Sequence, residues 1–324
     1  MNKYTLENKD NLNIAVLIPC LNEEKTIGNV IEQFQKELPA ATVYVYDNNS
    51  SDKTSEVAMR FNAIVRKEYN KGKGNVVVRM FGEIEADIYI LIDGDDTYPI
   101  DKVNLMIDEL LVYNVDMVVG DRLSNQSYQK ENKRKFHVFG NYLIKKLINV
   151  FFNTDLKDIL SGYRIFSYSF VKNYSSLAQG FELETDLSIF ALHYGVGIRE
   201  VPIDYRDRPE DSHSKLNTFQ DGIKIIMTFF NLYRFYKPLS FFSILALILS
   251  LIGVGIGMFP IYEYIKFSYV YKVPTAILAL GLIIIALLLL CCGLILDSIV
   301  RIEKKNTMLK IRQKNEGIST KSSR

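Results

Sequence analysis

Along the first 120 positions, short apolar runs alternate with longer stretches whose apolar residues recur at helical spacing. Ile14 to Ile18, Thr42 to Tyr46, Ala63 to Arg66, Ile88 to Ile92 and Met117 to Val119 are brief and rich in branched or aromatic side chains, which predicts strands. Glu24 to Leu38, Asp52 to Phe61, Gly74 to Ala86 and Ile100 to Tyr113 lie between them and predict helices. The alternation predicts an α/β domain with a mostly parallel sheet covered by helices on both faces. Ligands in such folds collect beyond the carboxyl ends of the strands.

The pattern changes after residue 238. Leu239 to Phe259 and Thr275 to Leu296 are each about the 20 apolar residues that a bilayer core requires. Ile283 to Leu290 offers no polar face, which favours spanning over two helices buried in a soluble core. An even number of crossings puts both flanks on one side. Residues 301–324 carry eight Lys or Arg against only Glu303 and Glu316, whereas the loop 260–274 has Lys266 and Lys272. That asymmetry assigns both termini to the cytoplasm. No basic leader with an apolar segment and a cleavage site opens the sequence, so the N-terminal domain is expected to stay inside. Gly253 and Gly257, four apart, read either as a close helix–helix approach or as glycine tolerated in an apolar helix.

Phe219, Ile223, Ile226, Phe230 and Tyr233 share a helical face, with Lys224, Arg234 and Lys237 nearby, which predicts a helix lying along the membrane interface. The helix expected over Phe136 to Phe152 carries Lys145 and Lys146 for the same purpose. The expected division is a catalytic domain over 1–216, an interfacial helix over 217–238, a two-helix anchor over 239–299 and a basic tail over 300–324.

Composition alters this picture little. A formal charge of +2 with acids and bases interleaved gives no reason to expect a nucleic-acid partner. Cys20, Cys291 and Cys292 make no disulfide framework and no metal spacing, which fits a reducing compartment. His137, His193 and His213 are far apart and read as packing or surface residues.

The chemistry lies at the predicted strand ends. Strand one ends in Pro19-Cys20-Leu21-Asn22-Glu23, strand two in Asp47-Asn48-Asn49-Ser50-Ser51-Asp52, and the Ile88 to Ile92 strand in Asp93-Gly94-Asp95-Asp96. Three acidic loops are therefore expected on one edge. Carboxylates such as Asp93 and Asp95 suit a hard divalent cation, which in turn holds a diphosphate. Asn49 and Ser51 read as caps of the following helix. Asp47 precedes that cap and reads as a ligand to a base or ribose.

These segments, followed by Ser161-Gly162-Tyr163-Arg164, resemble the inverting family 2 glycosyltransferases of GT-A fold. Within them the chain is most similar to the polyprenyl-phosphate glycosyltransferases, the group of dolichol-phosphate mannose synthase and the bactoprenol glucosyltransferases. The resemblance covers residues 13–300. It implies a nucleotide-sugar donor, with UDP favoured over GDP, enclosed by Pro19, Asn22, Glu23 and Asp47. It implies Mg2+ or Mn2+ on Asp93 and Asp95, with Asp95 central to catalysis. Asp96 is either a third ligand or a carboxylate facing the sugar. Lys71 and Lys73 either approach the donor phosphates or belong to a solvated turn.

For the acceptor, Arg122, Arg164, Arg206 and Lys215 form the expected receptor of a lipid monophosphate, with Arg208 a weaker candidate. Arg206 to Lys215 resembles a mobile loop closing over the substrates, although Asp211 and Ser212 stand where relatives have glycine. Asp158 falls where some relatives have a catalytic carboxylate, and positioning of Arg164 or the acceptor is favoured over proton abstraction. Glu182 and Glu184 either touch the donor sugar or favour a helix start electrostatically. The implied reaction transfers a sugar, with inversion, to undecaprenyl phosphate at the cytoplasmic membrane face for later cell-envelope glycan modification. A homo-oligomer is expected.

Two other readings stand beside this one. A family 2 polysaccharide synthase is disfavoured by the two spans and by the lack of a Gln-x-x-Arg-Trp segment, the chain having no Trp. A non-catalytic nucleotide-binding partner of a flippase or transferase is disfavoured because Asp47, Asp93 and Asp95 are all present.

Overall fold

The computed structural model describes residues 9, 11–124, 145–175, 183–206, 227, 230–231 and 233–321, with backbone alone after residue 309. Seven strands form one sheet: β1 Ile14–Cys20, β2 Thr42–Asp47, β3 Ile64–Lys67, β4 Ile88–Leu91, β5 Met117–Asp121, β6 Arg164–Ser167 and β7 Ile198–Pro202. Their spatial order is β3-β2-β1-β4-β6-β5-β7. All pairings are parallel except those of β6, which runs antiparallel to both β4 and β5.

Six helices of this domain are α1 Ile27–Glu37, α2 Thr54–Arg60, α3 Lys73–Glu83, α4 Val103–Val112, α5 Tyr168–Asn173 and α6 Leu183–Tyr194. Side chains along β1 alternate between two cores, as the strand pleat dictates. Ile14, Val16 and Ile18 pack with Ile31 and Phe34 of α1 and Ile107 of α4. Ala15 and Leu17 join Val76 and Met80 of α3, Phe170 of α5 and Phe190 of α6 on the opposite face. Burial on both faces explains why Ile88 to Ile92 reads as an unbroken apolar run.

The strands and helices predicted before residue 120 all form, with shifts at their ends. The antiparallel β6 was not predicted, because a four-residue strand opening on Arg164 carries no alternation of its own. Its register matters for function. Leu91 pairs with Arg164, so the residues just before Arg164 run back alongside those just after Leu91.

The chain divides into two compact units, Met1–Ile226 with Thr307–Arg324, and Met227–Asn306. The second unit holds helix α7 Pro238–Phe267 and the start of α8 Val273–Lys321. Both are long and apolar enough to cross a membrane. Leu247, Leu251, Ile277 and Leu287 are 60–65% exposed, so these are not buried core helices. α7 continues through Pro260 and ends where Ser268 adopts φ 52°. α8 runs far beyond the expected Leu296, since positions 297–316 contain neither glycine nor proline and are rich in good helix formers.

A Cβ on Gly253 would lie 3.0 Å from Ile283 and 3.2 Å from the Ala279 carbonyl, and one on Gly257 would lie 3.4 Å from the Ala279 Cβ. These glycines therefore serve close approach of α7 to α8 within one chain. Most of the expected interfacial helix, the loop over 207–215 with Arg208 and Lys215, the start of the helix from Phe136, and Glu182, His137 and His213 lie outside the described residues.

Candidate active site

The ends of β1, β2 and β4 meet at one edge of the sheet. Cys20 pairs with Asp47, and the Asp95 loop begins two residues beyond Leu91, which is level with Leu17. A Cβ on Gly94 would come within 2.7 Å of the Cys20 sulfur, so only glycine lets the acidic loop settle on β1. Burial pushes the Cys20 thiol pKa up, and Glu23, Asp47, Asp93 and Asp95 push it further. Glu23, Asp47, Asp93 and Asp95 thus all lie near enough to Cys20 to act on its thiol.

Each loop turns through one left-handed residue: Asn22 at φ 53°, Asn49 at φ 65° and Asp96 at φ 57°. Asn and Asp tolerate this region better than other side chains with a Cβ. The loops are then stitched together. The Asn22 amide donates to Ser50 Oγ at 2.9 Å, and the Ser51 amide donates to Asn22 Oδ1 at 2.8 Å. Thr26 Oγ1 donates to the Gly94 carbonyl at 2.7 Å, tying the start of α1 to the acidic tetrad. Asn48 bridges to the glycine-rich turn, donating to the Asn70 carbonyl at 2.8 Å and accepting from the Gly72 amide at 2.7 Å.

Several sequence expectations change here. Asn49 and Ser51 do not cap α2, whose N-cap position is Lys53; Asp52, one residue earlier, accepts from the Thr54 amide at 3.0 Å. Asp47 has a loop duty after all, accepting from the Ser50 amide at 2.8 Å and from Ser55 Oγ at 2.5 Å. Asp96 gives both carboxylate oxygens to α1, accepting from Asn29 Nδ2 at 2.5 Å and Gln33 Nε2 at 3.0 Å. That bonding makes Asp96 a fastener of α1. Pro19 is half-buried in β1, and Asn22 and Lys71 are exposed at the rim.

Asp95 is 4% exposed, and its Oδ1 accepts from Thr97 Oγ1 at 2.7 Å. Asp93 is more open, with Oδ1 paired to Lys73 Nζ. Its Oδ2 lies 2.3 Å from where a Cβ on Gly162 would stand. The antiparallel entry of β6 brings Gly162 there, which explains why the Ser161-Gly162-Tyr163-Arg164 motif needs its glycine. Lys73 does not sit in a solvated turn. Its side chain is 13% exposed, and Nζ also pairs with Glu184 Oε1 at 2.5 Å. Burial opposes the charge on Lys73, but Asp93 and Glu184 outweigh it and hold its pKa above the ordinary lysine value.

Among the described residues no group of three or more His, Cys, Asp or Glu is arranged to hold a metal ion. Asp93 and Asp95 are a pair, and one or two carboxylates completed by substrate phosphates are how Mg2+-type ions are commonly bound. The donor set fits such an ion.

The expected acceptor cations fare differently. Arg164 is fully buried, and all its guanidinium hydrogens are engaged. Nε donates to the Ser161 carbonyl, Nη1 to Ser188 Oγ and Met117 Sδ, and Nη2 to the carbonyls of Ile159 and Glu184. It is neither a catalytic residue nor a phosphate receptor; it positions the Gly162 turn and the start of α6. Arg122 is clamped on Asp158, with Nε at 2.7 Å and Nη2 at 2.8 Å, and Nη1 donates to the Tyr98 hydroxyl at 3.2 Å. Burial raises the Asp158 pKa, yet Arg122 overrides it and leaves it below the usual carboxylate range. An ion-paired acid of that kind is a poor base, so Asp158 positions Arg122.

Sequence reasoning missed Tyr98, whose hydroxyl also accepts from the Gly162 amide at 2.9 Å, joining the acidic loop to the Arg164 motif. Arg206 remains exposed, and its amide donates to the Thr97 carbonyl at 2.9 Å, beside Asp95.

Residues 15–175 match the model of the family described as Glycosyl transferase family 2. Protein RfbJ of Shigella flexneri is 48% identical over 124 residues, covering 37% of this chain and 96% of that one. Dolichyl-phosphate hexose transferase of Haloferax volcanii is 26% identical, covering 69% of this chain and 93% of that one. Among solved structures, glucosyl-3-phosphoglycerate synthase from Mycobacterium tuberculosis, in complex with Mn2+, UDP and phosphoglyceric acid, superposes with a TM-score of 0.56 at 21% identity, over 71% of this chain and 82% of that one. The acidic edge, the sheet order and these likenesses agree, and the chain belongs to glycosyl transferase family 2, with the GT-A fold.

Proposed function

We propose that this glycosyltransferase moves a sugar from a nucleotide-sugar donor, a UDP-hexose, onto a polyprenyl phosphate at the cytoplasmic face of a membrane. The observation that carries the reading is the convergence of Asp47, Asp93 and Asp95 on one sheet edge in a chain that also has two exposed apolar helices of spanning length. The named activity of the Haloferax volcanii relative supports the acceptor class. The Mn2+ and UDP of the mycobacterial structure support the donor class and the metal.

In this reading Asp93 and Asp95 hold Mg2+ or Mn2+, which supplies Lewis-acid stabilisation of charge on the departing diphosphate. Asn22, Glu23 and Asp47 line the nucleotide side. Arg206 and Lys215 receive the lipid phosphate, a role that Arg122 and Arg164 give up to internal partners. A phosphate with a second pKa of roughly 6 is largely dianionic near neutral pH, so its oxygen attacks the anomeric carbon without a strong base. The carbon–oxygen bond to the nucleoside diphosphate breaks as the new one forms, and the anomeric centre inverts.

The test is incubation of membranes carrying the protein with radiolabelled nucleotide sugars and polyprenyl phosphate, with and without EDTA. Label should enter the organic phase only with a divalent ion. Asp95→Ala should lower transfer at least about 100-fold, the scale seen on removing one group that stabilises developing charge. Undiminished transfer by that variant rejects the site.

A further inference from the structure

We propose that Lys73 is a built-in placeholder for the divalent ion: its ammonium pairs with Asp93 and competes with the ion for that carboxylate. The inference rests on the reading of Asp93 and Asp95 as the ion's ligands.

Two neighbours close on Asp93, one on each oxygen. Lys73 Nζ lies on Oδ1, and Gly162 closes on Oδ2. Lys73 has a second partner to retreat to, because Glu184 Oε1 already contacts Nζ at 2.5 Å. Glu184 is itself fixed, since its backbone carbonyl accepts from Arg164 Nη2 at 2.9 Å and from Ser188 Oγ at 2.9 Å. Glycine at position 72 adopts φ 121°, so the backbone that launches Lys73 into the site is one that other residues rarely take. The lysine is thus held at both ends, by a turn of unusual geometry and by a carboxylate that stays put.

Charge then separates two effects of the same side chain. Lys73 sets its ammonium against Asp93 and Glu184. Deleting the ammonium leaves the ion a more negative site and no competitor for Asp93, so ion binding on its own tightens. The donor brings a negatively charged diphosphate to that site, and losing the ammonium makes its binding weaker. A lysine that merely supported the fold would, when deleted, weaken both. Opposite signs are therefore the signature of a placeholder. At a few Å, and at the effective dielectric of a partly buried site, one unit charge changes affinity by about tenfold or more.

The experiment uses the full chain in detergent, with Mn2+ binding followed by electron paramagnetic resonance in the absence of nucleotide, and UDP binding measured at saturating Mn2+. Lys73→Met and the more polar Lys73→Gln should each bind Mn2+ alone about tenfold more tightly than the wild type, and bind UDP several-fold more weakly. Mn2+ should also raise the unfolding temperature of these variants more than that of the wild type. Equal or weaker Mn2+ binding in both variants overturns the placeholder. Asp95→Asn separates this failure from that of the underlying reading: if it binds Mn2+ as the wild type does, the ion site itself is wrong. If Asp95→Asn loses the ion and the Lys73 variants gain nothing, only the placeholder falls.

Discussion

The two sides of the catalytic edge are built from opposite charges and use them in opposite ways. On the side of β1, β2 and β4, carboxylates are gathered until Cys20 feels four of them. Asp93 pairs with Lys73, and Asp95 accepts from Thr97 Oγ1. On the side of β5, β6 and β7, cations are paired off internally: Arg122 with Asp158, and Arg164 with three backbone carbonyls. The first side gathers its acids at the strand ends. The second spends its charge on fixing loops, and only Arg206 among its described arginines keeps an exposed side chain at the rim beside Thr97.

The largest effect that distinguishes the sides is expected at Arg164. Truncation in Arg164→Leu strands the buried Ser161 carbonyl, leaves those of Ile159 and Glu184 to share the Ser188 hydroxyl, and removes a donor to that hydroxyl. Each buried group left unmatched costs about 1–3 kcal/mol, so the loss should reach ~3 kcal/mol or more. Thermal unfolding in detergent would show it as a markedly lower transition. Arg206→Ala should do the reverse, leaving the transition in place while raising the KM for the polyprenyl phosphate. A stable Arg164→Leu enzyme with a raised acceptor KM would restore Arg164 as a phosphate receptor.

That contrast also shows what the sequence could reveal. The strands before residue 120 were legible because burial on both faces leaves long branched apolar runs, and the acidic loops were legible because strand ends deliver them to one edge. The bonds of Asp96 to α1 were not legible because Asn29 and Gln33 are 67 and 63 residues away, on a helix whose rotation about its axis no spacing rule gives. Arg164 was misread for a related reason: its partners are backbone carbonyls, and backbone leaves no mark in sequence. The Gly162 turn was recognised by likeness alone; the physical need for glycine emerges only from the antiparallel register of β6 against β4.

A smaller effect is expected at Asp158 and is sharpened by pH. Its folded pKa is depressed, so the stability it contributes is fully present above the unfolded value of about 3.9 and is lost as pH falls through the folded value. Asp158→Asn should cost ~2 kcal/mol at neutral pH, the scale of hydrogen bonds to a charged group. The gap between wild type and variant should stay flat from pH 7 down to about 5 and close in more acidic solution. Chemical denaturation across that range measures it. If Asp158 were the catalytic base, the variant would instead lose transfer while keeping its stability.

The smallest effect is expected at Asp96, and it is the sharpest check of which carboxylates of the acidic edge bind a ligand. Asp96 stands next to Asp95 in sequence, yet Asn29 and Gln33 donate to both its oxygens, whereas Asp95 Oδ1 accepts from Thr97 Oγ1. Asp96→Asn keeps a residue that tolerates φ 57° and keeps one acceptor oxygen for α1. Its cost in stability should be below about 1 kcal/mol, the net worth of a single hydrogen bond. Transfer should stay within about threefold of wild type and the Mn2+ affinity should not move. Loss of transfer on the scale expected for Asp95→Ala would mean that Asp96 turns from α1 toward the donor during the reaction, and that the boundary between ligand and fastener runs through the tetrad at a different residue.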